Sequence, residues 1–436
     1  MRAPRSLFLA VVLVGCSGLA SPTPASPNAS PGRSVAPSPS ASPGRPVAPS
    51  ASLSTEPART TFPTPVANVG NLRWGERMAV EGQVIDPDGA FAGAPGTFLT
   101  VSNTEITFSA DGLHWVVVDS PVATEEYLTL NDVVIGPLGI VAVGEEGIVA
   151  ADNSTIGSNA VVLLSKDGRT WERIADSAFA DGHMQMAGAT RQGFVVFGQD
   201  FHGNRVIWTS PDGREWLRAT NETGLKVATG VRLLIPADGV LTAIVGPPRS
   251  AFTAASEFDV WRTEGRAEWE RVGRLAEGDR LLVGASGGGR WIVVGLERAW
   301  TSNDGVNWTV GARPQTDSGS AVTDVAAYAG GYVAVGDSGS RPDDTCGGNA
   351  PWVGRTWTSV DGRTWNEHPT FERAAISRLV RLGGSILGLG RAFTAGGEIV
   401  GAAWTSALPG SLDGPVQSPV PTPSPTPRAS SDGCGG

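Results

Sequence analysis

One heptapeptide recurs along this chain and constrains its fold more than any other feature. Ser-x-Asp-Gly-x-x-Trp stands intact at Ser109–Trp115, Ser165–Trp171, Ser210–Trp216, Ser302–Trp308 and Ser359–Trp365. A degraded copy, Arg262-Thr263-Glu264-Gly265, reaches Trp269 with one extra residue, and a last relic keeps only Trp404-Thr405-Ser406. Successive motif glycines, Gly112, Gly168, Gly213, Gly265, Gly305 and Gly362, lie 40 to 57 residues apart. A self-similar period of that length marks a fold built from stacked supersecondary units.

Each part of the repeat has a physical role. The carboxylate accepts hydrogen bonds from nearby backbone N–H groups, and the glycine takes a φ > 0 position that closes a hairpin. The Trp then lies on the returning strand and packs toward a neighbouring sheet. Ahead of the motif runs an apolar strand ending in glycine: Gly139–Gly144, Gly193–Gly198, Val240–Gly246, Trp291–Gly295, Tyr332–Gly336 and Ile386–Gly390. The first repeat offers Gly96–Asn103, with Asn, the residue that after Gly best tolerates a left-handed conformation, in the final place. Counting that strand makes seven repeats.

Each repeat then supplies four strands: an inner one such as Val322–Tyr328, the Gly-ended one, one entering the motif such as Arg355–Ser359, and one carrying the Trp. A four-stranded sheet cannot hide both faces alone, and a closed ring of such sheets solves that. Abundant Gly (58) and Trp (14) against 3 Tyr suits hairpin turns and layers between sheets. The expected fold is all-β, a β-propeller of seven four-stranded blades, with six or eight blades as the alternatives. Because the last repeat lacks a fourth strand after Ser406, the N-terminal strand Asn71-Leu72-Arg73-Trp74 is expected to supply it and close the ring.

The repeat resembles that of the Asp-box (BNR-repeat) propellers, a superfamily holding bacterial sialidases, other exo-glycosidases and many non-catalytic lipoproteins. The likeness runs through the whole core. The family motif is commonly Ser-x-Asp-x-Gly-x-Thr-Trp; this chain is one residue shorter between Asp and Gly, which argues against a close sialidase relative. In the family the motif turns lie on the outer rim, opposite the active face. The resemblance therefore implies that Asp111, Asp167, Asp212, Asp304 and Asp361 are structural.

The two ends read differently from the core. Residues 1–16 carry Arg2 and Arg5, an apolar run Leu7–Val14 too short to span a bilayer, and the tetrad Leu13-Val14-Gly15-Cys16. The tetrad resembles the lipobox of bacterial lipoproteins, where cleavage leaves the cysteine as the new N-terminus and its thiol takes a diacylglycerol, so Cys16 is the expected lipidation site. Residues 17–66 are almost entirely Ser, Pro, Ala and Gly and cannot bury enough apolar surface to offset their conformational entropy. At about 3.1 Å per residue such a tether reaches up to roughly 150 Å. Residues 410–436 form a similar tail, leaving 67–409 as the propeller. The chain is thus expected outside the cytoplasm, lipid-anchored to the bacterial membrane or envelope surface. Cys346 and Cys434 either pair or remain thiols.

Charge and residue content bound the chemistry. A net charge of −10 offers no concentrated basic surface, so nucleic acid is not an expected partner. His114, His183, His202 and His368 are scattered, and no Cys/His cluster has ligand spacing. Asp86-Pro87-Asp88-Gly89 and Arg341-Pro342-Asp343-Asp344 lack the further oxygens of a calcium loop. No metal and no cofactor is expected. A sialidase-like site would need an arginine triad, an Asp acid/base and a Tyr nucleophile assisted by Glu. Packing explains Tyr328 and Tyr332, while Tyr127, after Glu125-Glu126 in a loop before an inner strand, is better placed. Arg232-Leu-Leu-Ile-Pro236 is similar to the sialidase Arg-Ile-Pro signature but sits mid-chain in an inner strand, and Gly336-Asp337-Ser338-Gly339 reads as a turn. No catalytic residue is assigned.

Topology narrows where a ligand would bind. If the motif turns mark one face of the ring, the loops joining second to third strands lie on the other. Three are long: Glu145–Asn159, Asp337–Val353 and Gly246–Phe258, and long loops on a rigid scaffold are the usual place for function. Glu145, Glu146, Asp200, His202, Arg341, Asp343 and Asp344 are the candidate ligand-binding residues. The expected function is a non-catalytic, monomeric module that binds a protein or a glycan and meets the membrane only through its lipid. The alternatives are a divergent sialidase-like exo-glycosidase and an assembly or stability factor for an envelope complex.

Overall fold

The Val- and Ile-rich runs that end in glycine lack the in/out alternation of a half-exposed strand, and the computed structural model of the chain gives the reason. Along Gly139–Val149, Ile140 and Ala142 join an apolar cluster with the preceding sheet, while Val141 and Val143 join one with the following sheet. Phe194–Phe197, Leu241–Val245 and Tyr332–Val335 are likewise buried throughout. A strand covered on both faces has no polar side to write into its sequence.

The structure describes residues 72–81, 89–122, 127–150, 154–219, 230–246, 257–265, 268–276, 279–315, 321–337, 341–342, 349–350, 353–368 and 371–408. The expectations for 1–16 with Cys16, for 17–66 and 410–436, and for Cys346, Cys434, Asp343, Asp344 and the Arg341 side chain lie outside them.

Strand β1 is Met78–Val80. Sheet I comprises β2 (Ala90–Ala94), β3 (Thr97–Ser102), β4 (Glu105–Ser109) and β5 (Val116–Val118). Sheet II comprises β6 (Leu128–Gly136), β7 (Gly139–Val149), β8 (Thr155–Ser165) and β9 (Trp171–Ile174). Sheet III comprises β10 (Gly182–Thr190), β11 (Gly193–Asp200), β12 (Arg205–Ser210) and β13 (Leu217–Ala219). Sheet IV comprises β14 (Gly230–Ala237), β15 (Val240–Gly246), β16 (Phe258–Thr263) and β17 (Glu270–Leu275). Sheet V comprises β18 (Leu281–Gly287), β19 (Arg290–Gly295), β20 (Arg298–Ser302) and β21 (Thr309–Ala312). In all five the strands pair antiparallel in chain order. After β22 (Ala321–Tyr328) and β23 (Gly331–Asp337), a short ladder of β24 (Arg341–Pro342) and β25 (Asn349–Ala350) branches off. Then follow β26 (Val353–Ser359), β27 (Asn366–Glu367), β28 (Phe371–Glu372), β29 (Ala374–Leu382), β30 (Ser385–Phe393) and β31 (Ile399–Ala407).

Apolar clusters sit between consecutive sheets: I with II, II with III, III with IV, IV with V, and V with β22–β26. Others join β22–β23 to β29–β31, and β29–β31 back to sheet I. The packing returns to its start, and the fold is an all-β propeller.

Two expectations meet a different arrangement in the structure. Five separate four-stranded sheets stand where seven blades were expected, because the last two repeats share one nine-stranded sheet. A parallel bridge from Val353 to Ala374, with β28 laid across the end of β26, hydrogen-bonds them together. The strand added to the last repeat is also not Asn71–Trp74. Residues 72–77 run irregularly beside β31, with Gly75 N donating to Thr405 O (2.8 Å) and Ser406 Oγ to Arg73 O (2.8 Å). Regular pairing starts only at Met78–Val80, antiparallel to Gly401–Ala403. Glu81 then exchanges backbone hydrogen bonds with Leu113 and Trp115 of sheet I.

The terminal glycines of the second strands have a steric cause. Six inner strands (β6, β10, β14, β18, β22 and β29) carry a bulge near the end that faces these glycines. A Cβ on Gly144, Gly198, Gly336 or Gly390 would overlap the carbonyl of Thr129, His183, Ala321 or Ala375 on the inner strand. A close backbone approach of this kind excludes any side chain. Asn103, by contrast, does stand at φ 52.

Candidate functional site

On the motif side, five turns repeat nearly atom for atom. The Ser Oγ accepts from the glycine N–H at 2.7–2.9 Å at Ser109, Ser165, Ser210, Ser302 and Ser359. One Asp oxygen accepts from the two N–H groups that follow the glycine at 2.7–3.0 Å. Each glycine is left-handed, φ 69 to 80. The Trp Nε1 donates to the motif glycine carbonyl at Trp115, Trp171, Trp216 and Trp308, whereas Trp365 donates to Ala312 O of sheet V. Partial burial raises the Asp111 and Asp304 carboxyls, but these donors outweigh it and hold both at about 2. Asp167, Asp212 and Asp361 are lowered too.

The expected loop Glu145–Asn159 is instead a projecting hairpin arm: the β7–β8 ladder continues through Glu145↔Ala160, Glu146↔Asn159, Gly147↔Ser158 and Ile148↔Gly157. Glu145 and Glu146 are therefore strand residues, and the period of two sends them to opposite faces. Glu145 faces a cavity of about 390 Å³ between the arm and sheet III, lined also by Tyr127, Thr129, Gly147, Thr155, Ser158, His183, Gln199, Asp200 and Phe201. Glu146 lines a second cavity, of about 350 Å³, and pairs with Arg173 at 2.7 Å.

Within the first cavity, His183 Nδ1 lies 3.2 Å from Glu145 Oε2. The other ring nitrogen makes a long contact to Gln185 Nε2 (3.4 Å), and Arg205 Nη1 reaches Gln185 Oε1 at 3.5 Å. Asp200 accepts from both the backbone N–H and the Nδ2 of Asn204, each at 2.8 Å. Burial pulls the Asp200 carboxyl up, yet these donors prevail and hold it below its ordinary value. Phe201 is fixed through its N–H, which donates to Asp181 Oδ1 (3.2 Å), and Asp181 is itself left-handed, φ 51. Tyr127 and Phe201 are each about half exposed (50% and 46%). Tyr328 and Tyr332 are buried, and burial pushes the Tyr328 phenol up to about 12 and Tyr332 upward.

Of the candidates read from sequence, the fold joins Glu145 to Asp200 and sends Glu146 to the other side of the arm. His202 rests edge-on against Phe201 (6.2 Å) outside the cavity lining. His183, Gln199 and Phe201 were missed. His183 had a usable signal, since it occupies the start of an inner strand, one residue before the bulge region. Arg232, the residue skipped by the β14 bulge, approaches Arg205: a Cβ on Gly230 would lie 3.4 Å from Arg232 Nη1 and 3.6 Å from Arg205 Nη2. Among the described residues, no group of three or more His, Cys, Asp or Glu gathers as metal ligands.

No protein-family model matches the chain, and no curated protein does. Solved structures share its outline. An alpha-L-arabinanase of Penicillium chrysogenum matches at 12% identity and TM-score 0.41, over 80% of this chain and 100% of that one. The phage phi92 endosialidase matches at 8% and 0.41, over 81% and 72%. The β-propeller domain of the trilobed protease from Pyrococcus furiosus matches at 10% and 0.43, over 74% and 99%. At this level the likeness carries no inference about activity.

Proposed function

We propose that the chain is an extracytoplasmic, lipid-anchored, Asp-box-like propeller of seven blades that binds a glycan without cleaving it, in the cavity between the β7–β8 arm and sheet III. The observation that carries the binding site is the meeting of two half-exposed rings, Tyr127 and Phe201, with Glu145, His183, Gln199 and Asp200 around one opening. Sugars offer apolar C–H faces to rings and hydroxyls to carboxylates and amides, which is the mixed lining of a small-ligand site. The seven-blade count is supported by the shared sheet, where β22-β23-β26-β27 and β29-β30-β31-β1 each repeat the four-strand order of sheets I to V. The anchor rests on the Leu13-Val14-Gly15-Cys16 tetrad. It predicts that Cys16→Ala releases the protein from the membrane fraction and abolishes labelling by a fatty-acid probe.

A glycan array with the purified chain, followed by calorimetry on the best binder, tests the ligand. Tyr127→Ala and Glu145→Gln should each weaken binding at least about tenfold, a loss of roughly 1.4 kcal/mol. An array with no binder, or binding indifferent to both substitutions, overturns the reading.

A second reading, a divergent exo-glycosidase, is favoured by one observation: Arg205 and Arg232 converge at Gly230, and Arg205 is connected through Gln185 to His183 of the cavity that Tyr127, Glu145 and Asp200 also line. Such a pair suits a sugar carboxylate. Against catalysis by Asp200 stands its lowered value, since a general acid in glycoside cleavage has its value raised. Release of fluorophore from acidic or neutral glycosides, abolished by Glu145→Gln, would decide for this reading.

A further inference from the structure

The cavity between the arm and sheet III is one-sided in its charges. Glu145 borders it from the arm and Asp200 from the end of β11, so carboxylates stand on both walls, and no Lys or Arg lines it. Its one basic group is the imidazole of His183, 3.2 Å from Glu145 Oε2. The cavity across the arm differs, since Arg173 stands in its lining and bonds Glu146 at 2.7 Å. Acceptors are also in surplus. An ionised carboxylate offers about four lone-pair sites. Asp200 takes the N–H of Asn204 on one oxygen and Asn204 Nδ2 on the other, both at 2.8 Å. Among the described residues, His183 is the only side chain that meets the Glu145 carboxylate. Tyr127 and Phe201 bring half-exposed rings to the same space. Both are held by their backbones: Tyr127 O accepts from Gly147 N at 2.8 Å, and Phe201 N donates to Asp181 Oδ1 at 3.2 Å. Aromatic faces carry the negative lobe of a quadrupole and attract cations, most of all where carboxylates stand beside them.

We propose that this cavity recognises an ammonium group, carried by the glycan as the free amine of an amino sugar. The inference rests on the glycan reading above and adds the class of sugar to it. An alkylammonium has three donors and no acceptor. It matches a lining whose fixed charges are carboxylates and whose other polar groups include the Thr155 and Ser158 hydroxyls and the Gln199 amide. The C–H bonds next to the amine suit the two rings. Acetylation of the amine would remove its charge and leave one donor in place of three. Both carboxylates would then lose water without gaining a counter-charge, which is costly. A sugar carboxylate would meet like charge on two walls, and the net charge of −10 adds to that field. The site thus selects by what it leaves unpaired: the amine is taken, and the acetylated and acidic relatives of the same sugar are refused.

Calorimetry on the full-length chain at about pH 6, where an alkylamine is charged, tests this with a glucosamine tetramer and its fully N-acetylated counterpart. The amine form should bind at least about tenfold more tightly. Its affinity should fall as salt rises from about 0.05 to about 0.5 M, while that of the acetylated form holds. The Glu145→Gln/Asp200→Asn double variant keeps both shapes, removes both charges and should bring the two affinities within about twofold of each other. If that variant does not fold, the affinity ratio and its salt dependence in the unmodified chain give the answer. Equal affinities, tighter binding of the acetylated form, or no binding of either tetramer or of choline overturns the proposal. Two further results separate it from the reading beneath it. Array binders that all lack a free amine would leave the glycan reading standing and remove the ammonium. Choline bound in a manner sensitive to Glu145→Gln, with no sugar bound, would remove the glycan and keep the ammonium.

Discussion

The two faces of the ring differ in where their polar atoms find partners. In a motif turn, the Ser and Asp oxygens are met by N–H groups of the same seven residues, and the glycine presses on an adjacent sheet, as Gly213 does against Leu164. On the arm side, Glu145 of sheet II, His183 and Asp200 of sheet III and the rings of Tyr127 and Phe201 meet only in space, with an opening between them. Repetition here goes with internal satisfaction, and irregularity with groups left facing a cavity. A turn that serves its own backbone can be copied around a ring, but a binding site is made once.

Substitutions can break that contrast, beginning with the largest effect. Trp216→Ala removes a buried ring and its bond to Gly213 O and should cost about 4 kcal/mol in denaturant unfolding. Gly213→Ala forces a methyl to within 2.7 Å of Leu164 Cδ1 at a left-handed φ of 80 and should cost about 3 kcal/mol. Asp212→Ala leaves two turn N–H groups to water and should cost about 1 kcal/mol. None of the three should alter glycan affinity measured well below the melting temperature, and a change there would dissolve the distinction between the faces. Tyr127→Ala and Glu145→Gln should do the reverse, moving stability by less than about 0.5 kcal/mol while affinity falls.

Acid sharpens the same line. The folded value of Asp304 lies below its unfolded one, so its contribution is present above pH 3.8 and disappears as pH falls toward about 2. Asp304→Asn should therefore lower the melting temperature near neutrality and cease to matter in strong acid. The smallest expected effect belongs to Glu146→Gln, which should leave both stability and glycan binding nearly unchanged, because that side chain points to the other side of the arm.

The legible parts of the chain were those written in local spacing. Turns, Gly-ended strands and the all-β class follow from a seven-residue motif and from short apolar runs that end in glycine, and the strand Thr97–Ser102 appears within the run identified for the first repeat. What escaped depends on contacts far apart in sequence. Glu145–Asn159 looks like a loop because its residues are polar and Gly-containing, but its two halves are a ladder extended past the body of the sheet. The pairing of Glu145 with His183, 38 positions away, leaves no local trace, nor does the bulge that makes Gly144 obligatory. Trp74 suggested a closing strand, while regular hydrogen bonding begins four residues later at Met78.

The closing segment has a mechanical consequence. Leu72 and Leu408 share one apolar cluster, and between them Arg73, Gly75 and β1 are bonded to β31. The described chain thus enters and leaves at a single place on the ring. Tension applied at Leu72 passes first into β31 and its neighbours, and then through Glu81 into the rim of sheet I. Sheets II and III, which hold the cavity, are off that route, so a pull along the chain can strain the join without deforming the opening.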